Sequence, residues 1–300
     1  MASIVLIAAL ILWLIPEAAW AWGPVTHLWH GTRVLADLHN LPAALQQLLI
    51  DERWQYLYGC VAADIVQVKR YTRTIYTHCH GWRVGWKILH QAKTAEERAF
   101  AYGYLSHLAA DVYSHNYFIP IQLVASFPSR MQRHIFWEAR FDAEESRAER
   151  SLLKEVLARR SPACDALVER VVDRTLFSFR TNKRIFRSVV TLQRLQRWQA
   201  ALRRLTARSR VSLPPSDVDR YNRLCVASIH DLLANGERAA VMNHDPTGHD
   251  SLQQAKRIRR KLLTLQRRQV SIEGLREHVL RVITEARNAG DFPDISGIAT

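Results

Sequence analysis

The pattern of apolar and polar residues predicts a series of helices, separated by prolines and short polar stretches. The clearest helix covers Ala95–Tyr117, because Thr94 and Glu97 at its start have the spacing of a capping box. Further helices are predicted near 26–39, 41–54, 129–158, 163–178, 182–208, 216–236, 251–268 and 271–288. Residues 59–82 contain two glycines and several β-branched residues, and are predicted to be loop-rich, as are residues 243–250. The expected fold is therefore all-α.

Composition supports this prediction. The chain has 300 residues, of which 48% are hydrophobic, so it can bury a full-sized core. It contains only 11 glycines and 10 prolines, which favours helices over a turn-rich β architecture.

The N-terminal segment MASIVLIAALILWLIPEAAWA resembles a secretory signal peptide. An apolar run from Ile4 to Ile15 is followed by Ala19-Trp20-Ala21, which predicts cleavage after Ala21 and export to the periplasm or outside the cell. Since no Lys or Arg precedes the apolar run, an uncleaved N-terminal anchor stays open as the alternative. No other stretch approaches the roughly 18 apolar residues that a membrane span needs.

The net charge of +14 lies mostly in the C-terminal part of the chain. Residues 1–138 carry 11 Lys/Arg and 9 Asp/Glu, and the remainder carries 31 and 19. A basic half-chain suggests an anionic partner, such as a phospholipid surface or nucleic acid, unless it only forms solvated helix faces.

Four cysteines are present, and none belongs to a CxxC pair, so a thiolate metal site is not expected. Export would permit disulfides, and both free thiols and one or two bridges stay open. The cysteines are Cys60, Cys79, Cys164 and Cys225.

Two predicted helices carry histidines and carboxylates at intervals of four residues. His107, Asp111 and His115 lie on one helix, and His134 and Glu138 lie on the next. Side chains four residues apart stack along one helix face, and imidazole and carboxylate are the usual ligands of hydrolytic zinc. The spacing therefore indicates a metal-binding stripe.

The same stripe allows two other interpretations. The same residues could form solvent-facing pairs on amphipathic helices. A di-iron bundle normally uses Glu-x-x-His pairs, whereas here the histidine comes first and the interval is four, so zinc fits better.

The residues upstream extend the pattern. Asp64 is followed by the cluster Thr-His78-Cys-His80-Gly, and His27 lies five residues after Trp22. Cleavage at the predicted site would free the Trp22 amine, which can chelate a metal together with its own carbonyl oxygen, and His27 could join them.

The ordered set resembles the bacterial zinc-dependent phospholipase C family, which is related to the fungal single-strand-specific zinc nucleases. The resemblance covers roughly residues 22–140 and implies an all-α enzyme with three zinc ions. The residues that carry it are Trp22, His27, Asp64, His78, His107, Asp111, His115, His134 and Glu138.

The resemblance implies a ligand set for each ion. One zinc would be bound by His78, His107 and Asp111, with Asp64 at the zinc or its water as the candidate general base. A second would be bound by Trp22 and His27, with Asp111 as a bridge, and a third by His115, His134 and Glu138.

The sequence departs from the family pattern at two places. The typical motif places the next histidine six residues after the aspartate, whereas His115 follows Asp111 by four and position 117 is Tyr. This spacing is similar to the N-terminal domain of glycosylphosphatidylinositol-specific phospholipase D. The doublet His78/His80 also leaves open which histidine is the ligand.

These observations predict a zinc-dependent phosphodiester hydrolase that acts on phospholipid headgroups and could contact an anionic membrane. A single-strand-specific nuclease and an exported helical protein with a non-catalytic zinc site are the alternatives. The predicted organisation is a signal peptide over 1–21, a helical catalytic domain over 22–210 and a basic helical region over 211–300, which could pack on the same domain. Oligomeric state is not predicted.

Overall fold

The computed structural model describes residues 22–65, 79–129, 134–145, 147–172, 178–193, 196–207, 209, 211–268, 274, 277 and 281. The predicted signal peptide, and most of the helix predicted over 271–288, lie outside the described residues. Within these ranges the fold is all-α, as predicted, and contains no strand. Its helices are α1 (Pro24–Ala36), α2 (Ala43–Asp51), α3 (Arg53–Ile65), α4 (Trp82–Gln91), α5 (Ala95–Tyr113), α6 (Ile119–Ala125), α7 (His134–Asp142), α8 (Arg147–Ala158), α9 (Pro162–Val171), α10 (Phe179–Gln193), α11 (Gln196–Ala207), α12 (Pro215–Asn235) and α13 (His249–Arg267).

The centre of the fold is the close packing of α3 against α5. A Cβ added at Gly59 would lie 2.1 Å from the Phe100 carbonyl oxygen, and one added at Gly103 would lie 2.0 Å from the Tyr56 carbonyl oxygen. The two glycines therefore let the helix backbones touch. The prediction of a loop from residue 59 was wrong for residues 59–65, because Gly59 is an interhelical contact inside α3 rather than a turn residue.

The capping box predicted for α5 is confirmed. The Thr94 hydroxyl accepts from the Glu97 backbone N–H at 3.1 Å, and the Glu97 carboxylate accepts from the Thr94 backbone N–H at 3.2 Å. At its other end, α5 continues into a π-helical turn, Ser114–Phe118, and then into α6.

The helix predicted over 129–158 is instead divided into α7 and α8. The Arg150 guanidinium donates to the carbonyl oxygens of Ala143, at 2.9 Å, and Glu145. Basic side chains commonly satisfy the free carbonyls at a helix C-terminus. Arg150 therefore stabilises the end of α7, and the chain turns before α8 begins.

The C-terminal helices pack into the same core as the N-terminal ones. Helix α12 lies against α5 and α1, and α13 lies against α6 and the π-helical turn. Cys225 and Ile229 of α12 and Ile258 of α13 belong to the buried cluster that also contains Trp22.

All four cysteines are buried thiols, so of the two predicted states the structure shows the reduced one. Among the described residues, no helix combines the length and apolar character that crossing a membrane would require.

Candidate metal centre

Six segments bring their polar side chains to one buried place. Helix α1 supplies His27, α3 supplies Asp64, and α5 supplies His107 and Asp111. The turn before α4, the π-helical turn and α7 supply the others. Every member is at most 4% exposed. The members are His27, Asp64, His80, His107, Asp111, His115, His134 and Glu138, which form three groups of possible ligand atoms lying within 4.8 Å of one another in each group.

Asp111 is at the middle of the cluster. Its Oδ1 lies 3.2 Å from His27 Nε2, and its Oδ2 lies 3.2 Å from His107 Nε2. The His27 and His107 rings stack with centroids 3.7 Å apart. The two carboxylate oxygens thus face two different histidines, which is the arrangement that a carboxylate shared between two ions needs.

A second group joins Asp64 and His80 to His107. Asp64 Oδ1 lies 3.8 Å from the Nε2 atoms of both His80 and His107. His80 Nδ1 also lies 2.7 Å from Asp111 Oδ2. His78 lies outside the described residues, so the structure places His80 in the group and leaves the prediction for His78 untested.

The third group combines the π-helical turn with α7. His134 Nε2 lies 2.7 Å from Glu138 Oε1, one helical turn along α7. The His115 ring lies 5.3 Å from the His134 ring and 6.4 Å from the His80 ring, measured between centroids. His115 therefore connects this group to the others, as its predicted place in the stripe requires.

Backbone carbonyls orient two of the histidines. His107 Nδ1 donates to the Cys60 carbonyl oxygen at 2.9 Å, and His115 Nδ1 donates to the Pro246 carbonyl oxygen at 2.7 Å. Each contact fixes the tautomer in which Nδ1 carries the proton, so that Nε2 is left with its lone pair to bind a metal.

The two aspartates differ in their electrostatics. Burial raises the pKa of Asp64 to about 7. Burial also opposes the ionisation of Asp111, but the surrounding histidines, His107 foremost, hold its pKa well below the ordinary range of a carboxyl. Asp111 therefore stays ionised, whereas Asp64 can take up a proton near neutral pH in the absence of metal.

The cluster fits a bound metal. Neither carboxylate oxygen of Asp64 has a hydrogen-bond partner among the described residues, although the side chain is buried. An uncompensated buried carboxylate is costly unless a cation accompanies it. A donor set made only of imidazole nitrogens and carboxylate oxygens suits zinc in particular.

Trp22 lies beside the cluster. Its indole N–H donates to the carbonyl oxygen of Ala110, the residue before Asp111, at 3.0 Å. Its ring is fully buried, with the Phe141 ring centroid 4.1 Å away. The main-chain atoms that were predicted to bind metal therefore belong to a residue that is firmly packed next to Asp111.

Asp142 fixes this N-terminal segment, although its sequence context did not predict such a role. Asp142 Oδ1 accepts from the Thr26 backbone N–H at 2.8 Å and from the Thr26 hydroxyl at 3.0 Å. A Cβ added at Gly23 would lie 2.2 Å from Asp142 Cγ. Asp142, on α7, thus caps the N-terminus of α1. It follows Glu138 by four residues, and this continuation of the four-residue spacing was the one feature of the sequence that could have pointed to it.

Comparison with known proteins agrees with this geometry. A family model described as zinc-dependent phospholipase C matches residues 26–178, which include every described member of the cluster. No curated protein and no solved structure shows significant similarity to the chain.

Proposed function

Because the chain belongs to the zinc-dependent phospholipase C family, we propose that the buried cluster is its active site and that it hydrolyses the phosphodiester linkage of phospholipid headgroups. The observation that carries the proposal is the position of the two Asp111 oxygens, because Oδ1 lies 3.2 Å from His27, whereas Oδ2 lies 3.2 Å from His107 and 2.7 Å from His80. A shared carboxylate between two closely spaced ions is the arrangement of many phosphoester hydrolases.

Family membership itself gives the broader activity. The protein is a zinc-dependent phosphodiester hydrolase, zinc is its cofactor, and phospholipid is the substrate class that the family implies. The headgroup, the number of ions and the individual ligands are the finer parts of the proposal.

Asp64 is the proposed general base. Bound zinc lowers the pKa of a coordinated water to about 7 and stabilises charge on phosphate oxygens. With both oxygens free of hydrogen bonds to described residues, Asp64 can orient the attacking water and accept its proton.

The other side chains would hold the metal and position the substrate. Asp111 would help to hold two ions, one together with His27 and one together with His107. His115, His134 and Glu138 would hold a third ion, which would offset negative charge on the leaving oxygen.

We also propose that export and cleavage after Ala21 create the N-terminus at Trp22, whose amine and carbonyl oxygen complete the ligands around His27. The burial of Trp22 and its contact with the Ala110 carbonyl support this. The excess of cations after residue 138 supports peripheral contact with an anionic membrane, where phospholipid substrate is found.

The test is to purify the exported chain, read its N-terminal sequence and measure its zinc. Turnover of a soluble chromogenic phosphocholine ester is then compared with that of the Asp64→Asn variant. We expect a start at Trp22, up to three zinc ions, and activity that chelation removes and zinc restores. Asp64→Asn should retain zinc at the His107–Asp111 group and lose most turnover.

Bound zinc without hydrolysis of the ester would overturn the lipase proposal. Release of nucleotides from single-stranded DNA would then assign a nuclease, and inactivity on both substrates would assign a non-catalytic zinc site. A zinc-loaded chain that begins at Met1 would refute only the proposed N-terminal ligand.

A further inference from the structure

Helix α13 presents five exposed cations on one side. Arg260 and Lys261 follow Arg257 by three and four residues, and Arg267 and Arg268 follow both of these after about two further turns, which places all five on one side of the helix. Asp250, in the first turn, is the single acidic residue of α13. The residues of this basic face are Arg257, Arg260, Lys261, Arg267 and Arg268.

These cations have no carboxylate partner in the part of the chain that the structure describes. Arg257 donates to Gln253, one turn back, and Arg260 donates to the Lys256 carbonyl oxygen. No acidic group of a described residue lies within ion-pair distance of any of the five. Uncompensated like charges along one helix repel each other, so an external anionic surface would stabilise them.

The basic face is rigidly joined to the metal centre. Gly248, directly before α13, lies so close to His115 that a Cβ there would be 2.4 Å from His115 Cβ. Ser251 in the first turn donates to the Asn116 side chain at 3.1 Å. The opposite face of α13 is buried through Ala255, Ile258 and Leu262.

We infer that the basic face of α13 binds the anionic headgroups of a phospholipid bilayer and holds the chain at the surface that contains its substrate. This inference rests on the proposed function, because it takes the bilayer to be the source of the substrate. The face extends along about 16 Å of straight helix, which matches a flat surface with many separate charges better than a single bound anion.

The composition of α13 favours a bilayer over nucleic acid. Proteins that bind single strands combine basic grooves with aromatic side chains on which bases stack. Residues 249–268 contain no Phe, Trp or Tyr. The face therefore offers charge alone, which is sufficient for attraction to anionic lipid.

The test uses the full mature chain and vesicles of phosphatidylcholine, either pure or mixed with phosphatidylglycerol at about 3:1. The variant replaces Arg257, Arg260 and Lys261 by Gln. The matched control replaces three exposed cations of α8 and its C-terminal end by Gln, namely Arg147, Lys154 and Arg160.

Each cation near an anionic surface contributes about fivefold to binding, so the α13 variant should bind the mixed vesicles about 100-fold more weakly than the parent. The α8 control should bind within about threefold of the parent, and no chain should bind pure phosphatidylcholine strongly. Turnover of the soluble phosphocholine ester should be the same in all three chains, whereas hydrolysis of mixed vesicles should fall only in the α13 variant.

Equal vesicle binding by the α13 variant and the parent would overturn the inference, as would an equal loss in the α8 control. Displacement of the parent from vesicles by single-stranded DNA that binds to the same three residues would reassign the face to nucleic acid. If no chain hydrolyses the soluble ester, the proposed function fails, but the comparison of vesicle binding still decides whether α13 docks on the bilayer.

Discussion

Replacing Asp142 tests how the N-terminal segment is held against the metal centre. The Asp142 carboxylate accepts both the backbone N–H and the hydroxyl of Thr26, and Thr26 is fully buried. In Asp142→Ala both buried donors lose their acceptor. Each unsatisfied buried donor costs about 1–3 kcal/mol, so the free energy of unfolding should fall by about 2–6 kcal/mol.

The loss should be measured by urea unfolding with and without zinc. A fall of this size is a large part of the stability of about 5–15 kcal/mol that is typical of a domain. Because His27 is the residue after Thr26, the variant should also bind less zinc around His27 and Asp111, whereas the group around His134 should be less affected. Zinc titration followed by metal analysis separates these effects.

The pH dependence of Asp142→Asn gives an independent check. Burial raises the pKa of Asp142 from 3.8 to about 6, so folding favours the protonated carboxyl. The stability contributed by that form is present at low pH and decreases as pH rises from about 4 to about 6. Since Asn does not ionise, the advantage of the parent over Asp142→Asn should shrink by about 3 kcal/mol across this window and then remain constant.

Thr26→Val serves as the control, because it removes only the hydroxyl and leaves the N–H bonded to Asp142. We expect it to cost about 1 kcal/mol. If Asp142→Ala unfolds within about 0.5 kcal/mol of the parent, Asp142 does not cap α1 in solution and the argument is refuted.

Three other predictions follow from the same geometry. Asp111→Ala should lose zinc from two groups and reduce turnover by more than about 100-fold, and a full zinc content by metal analysis would contradict its shared role. Gly59→Ala should lower the free energy of unfolding, measured by thermal unfolding, by about 2 kcal/mol or more. The added Cβ would lie only 2.1 Å from the Phe100 carbonyl oxygen. Gly248→Ala, at a φ of 55° and against His115, should weaken zinc binding at the third group with little change at the other two, as zinc titration would show.

Much of the helical pattern could be predicted because its determinants are local. The capping box at Thr94 and Glu97 needs only residues three apart, and it forms as expected. Gly59 misled the prediction, since the reason for that glycine is the backbone of α5, more than 40 residues away. A glycine that permits two helices to touch cannot be distinguished from a turn glycine by its neighbours in sequence.

The proposed metal ligands could be recognised for the same local reason, but the residues that orient them could not. His107 with Asp111, and His134 with Glu138, are four residues apart and share a helix face. The acceptor that orients His115 is the Pro246 carbonyl oxygen. Because every residue has a backbone carbonyl, the residue type at position 246 gives no sign of this role. Only the fold, which brings residues 131 positions apart into contact, can reveal it.

Pro120 explains why the helix changes its geometry near His115. In a regular helix the Pro120 ring would collide with the carbonyl of Asn116, four residues earlier, and the N–H that this carbonyl needs is missing. The chain instead widens into the π-helical turn Ser114–Phe118 before α6 begins. A wider turn contains more residues, so each side chain rotates less about the axis.

In a regular α-helix, the side chains of Asp111 and His115 would differ in direction by roughly 40° about the helix axis. The π-helical turn makes this angle smaller. The His115 ring can then lie between those of His80 and His134 and connect the shared carboxylate to the group on α7. π-helical turns are often found at functional sites. Here one proline accounts for the local geometry that lets a spacing of four residues serve the third group.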